Sequence, residues 1–239
     1  MEARSHTFLQ ILKIGLLGML IFSAVYAISQ IRLSQYFPIR GVQVYGINRV
    51  DHDEVEASVL PLVSHGFFSI NVEAIRERLL QIPWVANTYV RRMWPDQVSV
   101  TVQEKVPVAK WNAQSLLSNA GELFTPKLDT YPDHLATFTG PEGQHILMLQ
   151  YYYEINRLLK PLHARISSLE LTPYSAWKVK LDTGMILQMG HKDVLTRLSH
   201  FVTVYPKIIG GHEADVDYVD LRYSNGIAIR WKKDLTVEE

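Results

Sequence analysis

The most regular pattern along the chain is an alternation at residues 98–103, where valines at every second position are separated by polar residues. This spacing is typical of a β-strand with one buried face. A second run, residues 84–92, is rich in β-branched and aromatic residues, and Pro95 between the two runs fixes the φ angle that a tight turn requires. The pattern predicts an antiparallel hairpin.

A short strand and two helices are predicted upstream of this hairpin. The strand covers residues 41–46, and Asp51 with Glu54 three residues later resembles a capping box that opens the first helix. Asn71 is the predicted N-cap of the second helix, which Pro83 ends. The order strand, helix, helix, strand, strand predicts a small domain over residues 37–106, with two helices on a three-stranded sheet. Its predicted core comprises Val55, Val59, Val63, Ile75, Leu79, Trp84, Val90, Val98, Val100 and Val102.

A second domain is predicted for residues 107–235, with 236–239 as a short tail. It combines short strands with two helical insertions, at residues 144–159 and at residues 192–205, where Pro206 is expected to stop the helix. The predicted inward faces are Ile146, Leu149, Tyr153 and Leu159 in the first helix, and Val194, Leu198, Phe201 and Tyr205 in the second.

Two hairpins are predicted in this second domain. The first joins residues 177–181 to residues 185–189. The second joins residues 219–223 to residues 227–231 through an Asn-Gly turn, since both turn positions tolerate positive φ. A C-terminal strand that finishes a sheet is a candidate edge with main-chain groups available to a partner. We therefore expect an α+β protein whose second domain is mostly antiparallel.

The N-terminal region contains a run without charged residues at positions 14–31. Its length is at the lower end of what a membrane-spanning helix requires, so we expect one transmembrane helix over residues 14–32 after a short tail, residues 1–13. A cleaved signal peptide is the alternative, because residues 25–27 (Val-Tyr-Ala) include small residues that a signal peptidase accepts. Basic residues flank both ends of the run, so the positive-inside rule does not decide its orientation.

Charge and cysteine content narrow the function classes. The 24 Lys and Arg residues balance 24 Asp and Glu residues, so no net field attracts nucleic acid, and we predict no nucleic-acid binding. The absence of cysteine is compatible with an exported protein but does not establish one.

The sequence offers little that points to catalysis or metal binding. The nine histidines lack the spacing of a zinc-binding helix, and neighbouring side chains in His52-Asp53-Glu54 would diverge on a helix. The acidic residues at 213–220 lack the glycine of a calcium loop. No nucleophile elbow, Walker loop or dinucleotide fingerprint is present, and Ser167 and Ser168 have no base nearby in sequence. We predict no catalytic residue, metal, cofactor or small-molecule substrate.

Short motifs along almost the whole chain resemble the FtsQ/DivIB family of bacterial cell division proteins. About ten such motifs occur in the same order over most of the chain, which is hard to explain by chance. They are Val44-Tyr45-Gly46, Ile82-Pro83-Trp84-Val85, Val90-Arg91-Arg92, Trp94-Pro95-Asp96, Pro107-Val108-Ala109-Lys110-Trp111-Asn112, Gly140-Pro141-Glu142-Gly143, Ala176-Trp177, Leu181-Asp182, Arg197-Leu198, Tyr205-Pro206 and Val219-Asp220-Leu221-Arg222-Tyr223.

The resemblance implies a function and a binding surface. It implies a POTRA domain followed by a β domain, a single-pass inner-membrane protein with its bulk in the periplasm at the division septum, and a non-enzymatic scaffold. The implied partners are FtsB and FtsL, together with other divisome membrane proteins, and the implied role is to link early and late divisome proteins and so control septal peptidoglycan synthesis. FtsB would add a strand at the C-terminal sheet, and the partner-binding positions carried over by the motif match are Tyr223, Ser224, Gly226 and Trp231.

One feature departs from the family pattern. Relatives commonly carry a basic residue just before the Ala-Trp pair, whereas Tyr174 and Ser175 precede Ala176-Trp177 here. A partner carboxylate that pairs with that basic residue in relatives would need a different contact in this chain.

Two other functions remain open at the level of sequence. One is an anchored extracytoplasmic cell-wall hydrolase or protease with a convergent active site. The other is a POTRA chaperone of outer-membrane barrel assembly, although the chain has a single POTRA-length unit and lacks a C-terminal series of barrel strands.

Overall fold

The computed structural model describes residues 15–23, 25–26, 37–64, 66–223 and 226–232. The chain divides into two compact units, Met1–Glu104 and Lys105–Glu239.

The predicted membrane span lies partly outside the described residues. Residues 15–23 and 25–26 are helical. Among the helices that the structure describes, none combines the length and the apolar composition needed to cross a bilayer. The transmembrane helix over residues 14–32 therefore stays a prediction.

The first unit has the predicted order of two helices and three strands. Its sheet has the order β1-β3-β2, with β3 central, parallel to β1 and antiparallel to β2. The elements are β1 Gly41–Tyr45, α1 His52–Val63, α2 Val72–Leu79, β2 Val85–Met93 and β3 Gln97–Glu104.

Side-chain caps explain where both helices begin. The Asp51 carboxylate accepts a hydrogen bond from the main-chain N–H of Asp53, at 3.0 Å, so Asp51 caps α1 without the predicted pairing with Glu54. The Asn71 side chain accepts from two main-chain N–H groups of α2, which confirms that cap. Helix α2 ends at Leu79, before Pro83, because tight turns follow it at residues 80–85.

The valine alternation builds the core of the first unit as predicted. The valines of β3 are fully or almost fully buried, as are Ile75 and Leu79 of α2 and the inward valines of α1. Val90 is the exception, since it is only half-buried. It lies in β2, an edge strand with a neighbour on one side only among the described strands.

The second unit contains one mixed sheet of nine strands. The strand order is β12-β11-β10-β9-β8-β7-β4-β5-β6. Of the eight strand pairings among the described residues, five are antiparallel and three are parallel. The elements are β4 Pro107–Trp111, β5 Ser115–Ser118, β6 Leu123–Phe124, β7 Ala136–Thr139, α3 His145–Leu159, β8 Ile166–Leu171, β9 Trp177–Leu181, β10 Ile186–Gly190, α4 Val194–Ile208, β11 Val216–Asp220 and β12 Ala228–Trp231.

The parallel pairings explain why the sheet is less antiparallel than predicted. Helix α3 connects β7 to β8, and α4 connects β10 to β11, and both strand pairs are parallel. Parallel neighbours require a long crossover connection, which each helix supplies. The two helices pack against each other. In addition, α3 packs against β8 and α4 packs against β10.

The predicted inward face of α3 was partly wrong. Ile146 and Tyr153 are 52% and 48% exposed, and the buried side chains include Met148 and Ile155. The sequence is ambiguous here because residues 146–149 are all apolar and three tyrosines follow at 151–153, so apolar side chains surround this part of the helix.

The predicted face of α4 is confirmed, but its predicted end is wrong. Val194, Leu198, Phe201 and Tyr205 are buried, and the helix continues through Pro206 to Ile208. Proline removes one N–H donor and crowds the carbonyl four residues earlier, but Pro206 lies in the last turn, where the N–H of Ile209 still donates to the carbonyl of Tyr205 at 2.9 Å.

We expect Val100→Asp to destabilise the chain by about 3–4 kcal/mol, because it places an unpaired charge in a fully buried position of β3. Urea unfolding followed by circular dichroism measures the loss. Gln103→Asp is the matched control, since Gln103 lies in the same strand with its side chain exposed. Equal unfolding curves for the two variants would contradict the buried alternation.

Candidate functional site

The C-terminal edge of the nine-stranded sheet forms the candidate site. Strand β12 pairs with β11 in antiparallel register, from Val216 opposite Trp231 to Asp220 opposite Ala228. In the described part of the chain β12 has no neighbour on its other side. The predicted antiparallel pairing and edge are therefore present, whereas Asn225 of the predicted Asn-Gly turn lies outside the described residues.

Strand β11 is displaced from its predicted position. It covers Val216–Asp220 instead of residues 219–223, so Tyr223 follows the strand rather than belonging to it. The strand ends because Asp220 bonds back to the chain two residues later. The main-chain N–H of Arg222 donates to Asp220 Oδ1 at 2.9 Å.

Asp220 and Arg222 form a closely bonded ion pair after β11. Arg222 Nε lies 2.9 and 3.1 Å from the two carboxylate oxygens of Asp220, and Arg222 Nη2 lies 2.6 Å from Oδ2. Asp220 is only 4% exposed. The hydrogen bonds from Arg222 lower the pKa of Asp220, against the opposing effect of burial. The carboxylate therefore stays charged inside the fold.

Arg197 of α4 holds the same loop from the other side. Its Nη1 donates to the carbonyl of Arg222 at 2.9 Å and lies 3.4 Å from the carbonyl of Leu221. A helix, a buried carboxylate and a guanidinium thus fix the chain immediately before Tyr223. In the sequence analysis, Arg197, Asp220 and Arg222 appear only within family motifs. The spacing of Asp220 and Arg222, an acid and a base two residues apart, was the signal that could have indicated their positioning role.

Two of the carried-over positions meet at one cavity. Tyr223, which is 61% exposed, and Gly226 line a cavity of about 410 Å³ together with α4. Trp231, 45% exposed, lies on β12 and is not among the residues that line it. Ser224 lies outside the described residues. The other lining residues are Thr196, Arg197, His200, Leu221 and Ile227.

The main-chain directions of β12 follow from one hydrogen bond. The N–H of Lys232 donates to the carbonyl of Asp215 at 2.7 Å, toward β11. Main-chain groups alternate in direction along a strand, so Ala228 and Arg230 also face β11. The N–H and C=O groups of Ile229 and Trp231 point away from the sheet, toward the side where a partner strand would pair.

A basic depression lies where β10 ends, close to the segment that follows β11. It has a volume of about 390 Å³, and His191, Lys192, Arg197 and Arg222 line it together with Ala176 and Gly190. Ala176 belongs to the Ala-Trp pair before which the family resemblance leads us to expect a basic residue. Here Lys192 and His191 supply basic groups next to that pair, whereas Tyr174 is a highly exposed turn residue.

The acidic residues that suggested a calcium site do not converge on a common point. Asp217 pairs with Arg230 at 3.5 Å, Asp215 with His212 at 3.3 Å, and Asp220 with Arg222. Glu213, the fourth acidic residue of this group, accepts a hydrogen bond from the main-chain N–H of Gly211 at 3.1 Å.

The prediction that neighbouring side chains of His52-Asp53-Glu54 diverge is wrong for His52 and Asp53 in α1. Ligand atoms of His52, Asp53 and Glu56 lie within 4.8 Å of one another, and all three residues are exposed. Glu56 joins His52 because it lies one helical turn further on, while Glu54 is not part of the group.

Ser167, considered as a nucleophile, has a structural contact instead. Its hydroxyl donates to the carbonyls of Lys180 and Leu181 across the β8–β9 pair, at 3.1 Å in each case.

Comparison with known proteins agrees with both folded units. Residues 109–222 match the family described as cell division protein FtsQ/DivIB, C-terminal, and residues 37–105 match the FtsQ-type POTRA domain. The cell division protein FtsQ of Coxiella burnetii is 35% identical over 196 residues, which cover 82% of this chain and 81% of the relative.

Two further relatives carry the same name. The FtsQ of Shewanella oneidensis is 33% identical over 81% of this chain and 74% of its own length. The FtsQ of Burkholderia pseudomallei is 33% identical over 81% of this chain and 80% of its own length. These names denote a role in cell division rather than a catalytic activity. The sequence motifs, the two folds and these relatives lead to one conclusion: the chain belongs to the FtsQ/DivIB family of bacterial cell division proteins.

Proposed function

We propose that this cell division protein is a non-enzymatic scaffold, anchored in the inner membrane by residues 14–32, with both folded units in the periplasm at the septum. Its C-terminal sheet edge binds FtsB, and with it FtsL, by accepting an added strand. The observation that carries this proposal is β12, which pairs with β11 on one side and presents outward main-chain groups on the other.

The surroundings of β12 suit an extended protein segment. Outward N–H and C=O groups supply main-chain hydrogen bonds, and exposed side chains beside them supply anchors. Tyr223 and Trp231 are large, exposed aromatic residues of the kind that dominate binding energy at interfaces. We place the partner segment along β12, with its side chains against these two residues.

The basic depression favours a partner segment that carries negative charge. Lys192, Arg197 and Arg222 lie close together there, and Asp220 neutralises only part of this charge. A carboxylate on the partner would complement the depression and would favour correct pairing over binding by basic segments. In this chain Lys192 takes the role that the basic residue before Ala-Trp has in relatives.

The scaffold assignment is favoured over an anchored hydrolase. The Ser167 hydroxyl, a candidate nucleophile, donates to two main-chain carbonyls, and His52, a candidate metal ligand, is exposed. The strand edge, in contrast, is a built surface with defined hydrogen-bonding directions.

We expect Tyr223→Ala to weaken capture of FtsB by the full-length chain by about tenfold or more, because it removes an exposed aromatic anchor at the edge. Pulldown of coexpressed partner, with titration of the purified proteins, measures the loss. Tyr89→Ala is the matched control, since Tyr89 in the first unit is equally exposed, 62% against 61%. Unchanged binding by folded Tyr223→Ala and Trp231→Ala proteins would move the site elsewhere.

We expect Ile229→Pro to bind FtsB roughly fivefold more weakly than Ile229→Ala does. This difference corresponds to the free energy of about one hydrogen bond. Both changes remove the isoleucine side chain, but only proline removes the outward N–H of β12, and proline is tolerated at an edge where that N–H faces solvent. Titration of both variants separates the two effects. Equal affinities would contradict strand addition at this edge.

We expect Asp220→Asn to cost about 1–3 kcal/mol of unfolding free energy at pH 7, because it removes a charged hydrogen-bond network. The pKa of Asp220 is lowered in the fold, so its stabilisation is complete above the unfolded value near 3.9 and is lost as the pH falls through the folded pKa. Urea unfolding of both proteins from pH 7 to pH 3 tests this. The difference should stay constant down to about pH 5 and shrink below about pH 4, and a constant difference at all pH values would exclude the ion pair as its source.

A further inference from the structure

One end of the first unit collects exposed aromatic residues that its core does not use. Gly41 of β1 pairs with Gln97 of β3, and Met93 of β2 pairs with the same Gln97. The start of β1, the start of β3 and the end of β2 therefore lie together. This is also the end at which the chain arrives from its N-terminal segment.

Hydrogen bonds attach the arriving segment to the β2–β3 turn. The N–H of Arg40 donates to the carbonyl of Asp96 at 2.9 Å, and its guanidinium lies 3.8 Å from the Asp96 carboxylate. The same turn carries Trp94, which is 75% exposed.

The connection between α1 and α2 adds phenylalanines at this end. The N–H of Phe67 donates to the carbonyl of Phe37 at 2.8 Å, and the Phe37 and Phe68 rings lie edge to face at 5.4 Å. Phe68 remains 49% exposed. Arg92 Nη2 donates to the carbonyl of Ile70 at 2.6 Å, which ties this connection to the end of β2.

We infer that the surface formed by Phe37, Phe68 and Trp94, here called the aromatic end, contacts the interfacial layer of the membrane. The inference rests on the proposed anchor at residues 14–32. The occupant is a lipid surface, and the contact would orient the POTRA unit with respect to the bilayer.

Chain length supports a lipid surface as the occupant. Phe37 follows residue 31, the end of the apolar run, by six residues, which span at most about 20 Å when fully extended. The polar layer on each side of the hydrocarbon core is about 5–8 Å thick. The aromatic end is thus tethered within reach of the layer that it would enter.

The chemistry of the aromatic end suits the same surface. Tryptophan is enriched at membrane interfaces, and arginine can place its aliphatic part among apolar groups while its charge stays in water. Arg40 has a highly exposed side chain beside Trp94's turn. The three exposed or half-exposed aromatic rings beside Arg40 therefore have the residue types that occur where a protein meets the membrane interface.

Cysteine labelling tests the inference directly, because the chain contains no cysteine. Full-length Phe68→Cys and Trp94→Cys proteins are labelled with an environment-sensitive nitrobenzoxadiazole dye and reconstituted, one chain per nanodisc, in phosphatidylethanolamine and phosphatidylglycerol. Tyr89→Cys and Tyr174→Cys are the controls, since both positions are exposed and lie outside the aromatic end. Circular dichroism confirms that each variant is folded, and Trp94→Cys leaves the phenylalanine contacts intact.

We expect the dye at positions 68 and 94 to emit at shorter wavelength than at positions 89 and 174 and to be quenched by lipids that carry a spin label near the headgroup. Water-like emission at both positions, in chains that remain with the nanodiscs, would overturn the inference and leave the anchor intact. A shift seen only when several chains share a liposome, without quenching by spin-labelled lipid, would assign the surface to a second copy and would also overturn it. Chains that fail to associate with lipid at all would instead contradict the anchor.

Discussion

The parallel pairing of β11 with β10 is the constraint on which the candidate site depends. Because α4 crosses between these strands, β11 adds to the free side of β10, and β12 then adds to β11. Without the crossover, a hairpin of β11 and β12 could pair anywhere along the sheet. With it, the last described strand becomes an edge, and α4 lies close enough for Arg197 to bond the loop that carries Tyr223.

Stability and the proposed partner binding share residues at the end of β11. Asp220 is buried and is balanced by Arg222, whose guanidinium also lines the basic depression. A buried carboxylate without a cation would be costly, so Arg222 cannot be turned entirely toward a partner. The ion pair therefore limits the positive charge of the depression while it fixes the loop. Lys192, which carries no such structural duty in the contacts described, is the more available cation for an approaching carboxylate.

In the first unit, the exposed aromatic residues lie outside the core. Its core contains the valines of β3 together with buried residues of both helices. The aromatic residues at the end where β1 begins are left over from that core, and the chain continues from there toward the apolar run. These exposed aromatic rings form a surface suited to contact with a partner. Because the segment that leads to the proposed anchor is short, the proposed partner is the membrane surface.

Periodicity determined most of the local structure. Strict alternation at residues 98–103, caps at Asp51 and Asn71, and a clean helical stripe from Val194 to Tyr205 all act over a few residues, so the sequence predicts them without knowledge of the fold. Helix α3 shows the limit of this reasoning. Where apolar residues surround a helix, as at 146–153, only the neighbouring strands decide which side is buried.

For the candidate site too, some features could be predicted from the sequence and others depended on the tertiary structure. The sequence by itself indicated the family, a C-terminal hairpin and an edge, and the family resemblance implied the positions Tyr223, Ser224, Gly226 and Trp231, which stay a prediction. The tertiary structure alone decided that β11 ends at Asp220, that Arg197 and Arg222 hold the loop, and that Ile229 and Trp231 have the outward main-chain groups. The physical reason is that edge, register and ion-pair geometry depend on contacts between segments far apart in sequence, such as α4 with residues 221–222, and no local pattern encodes which distant segment will arrive.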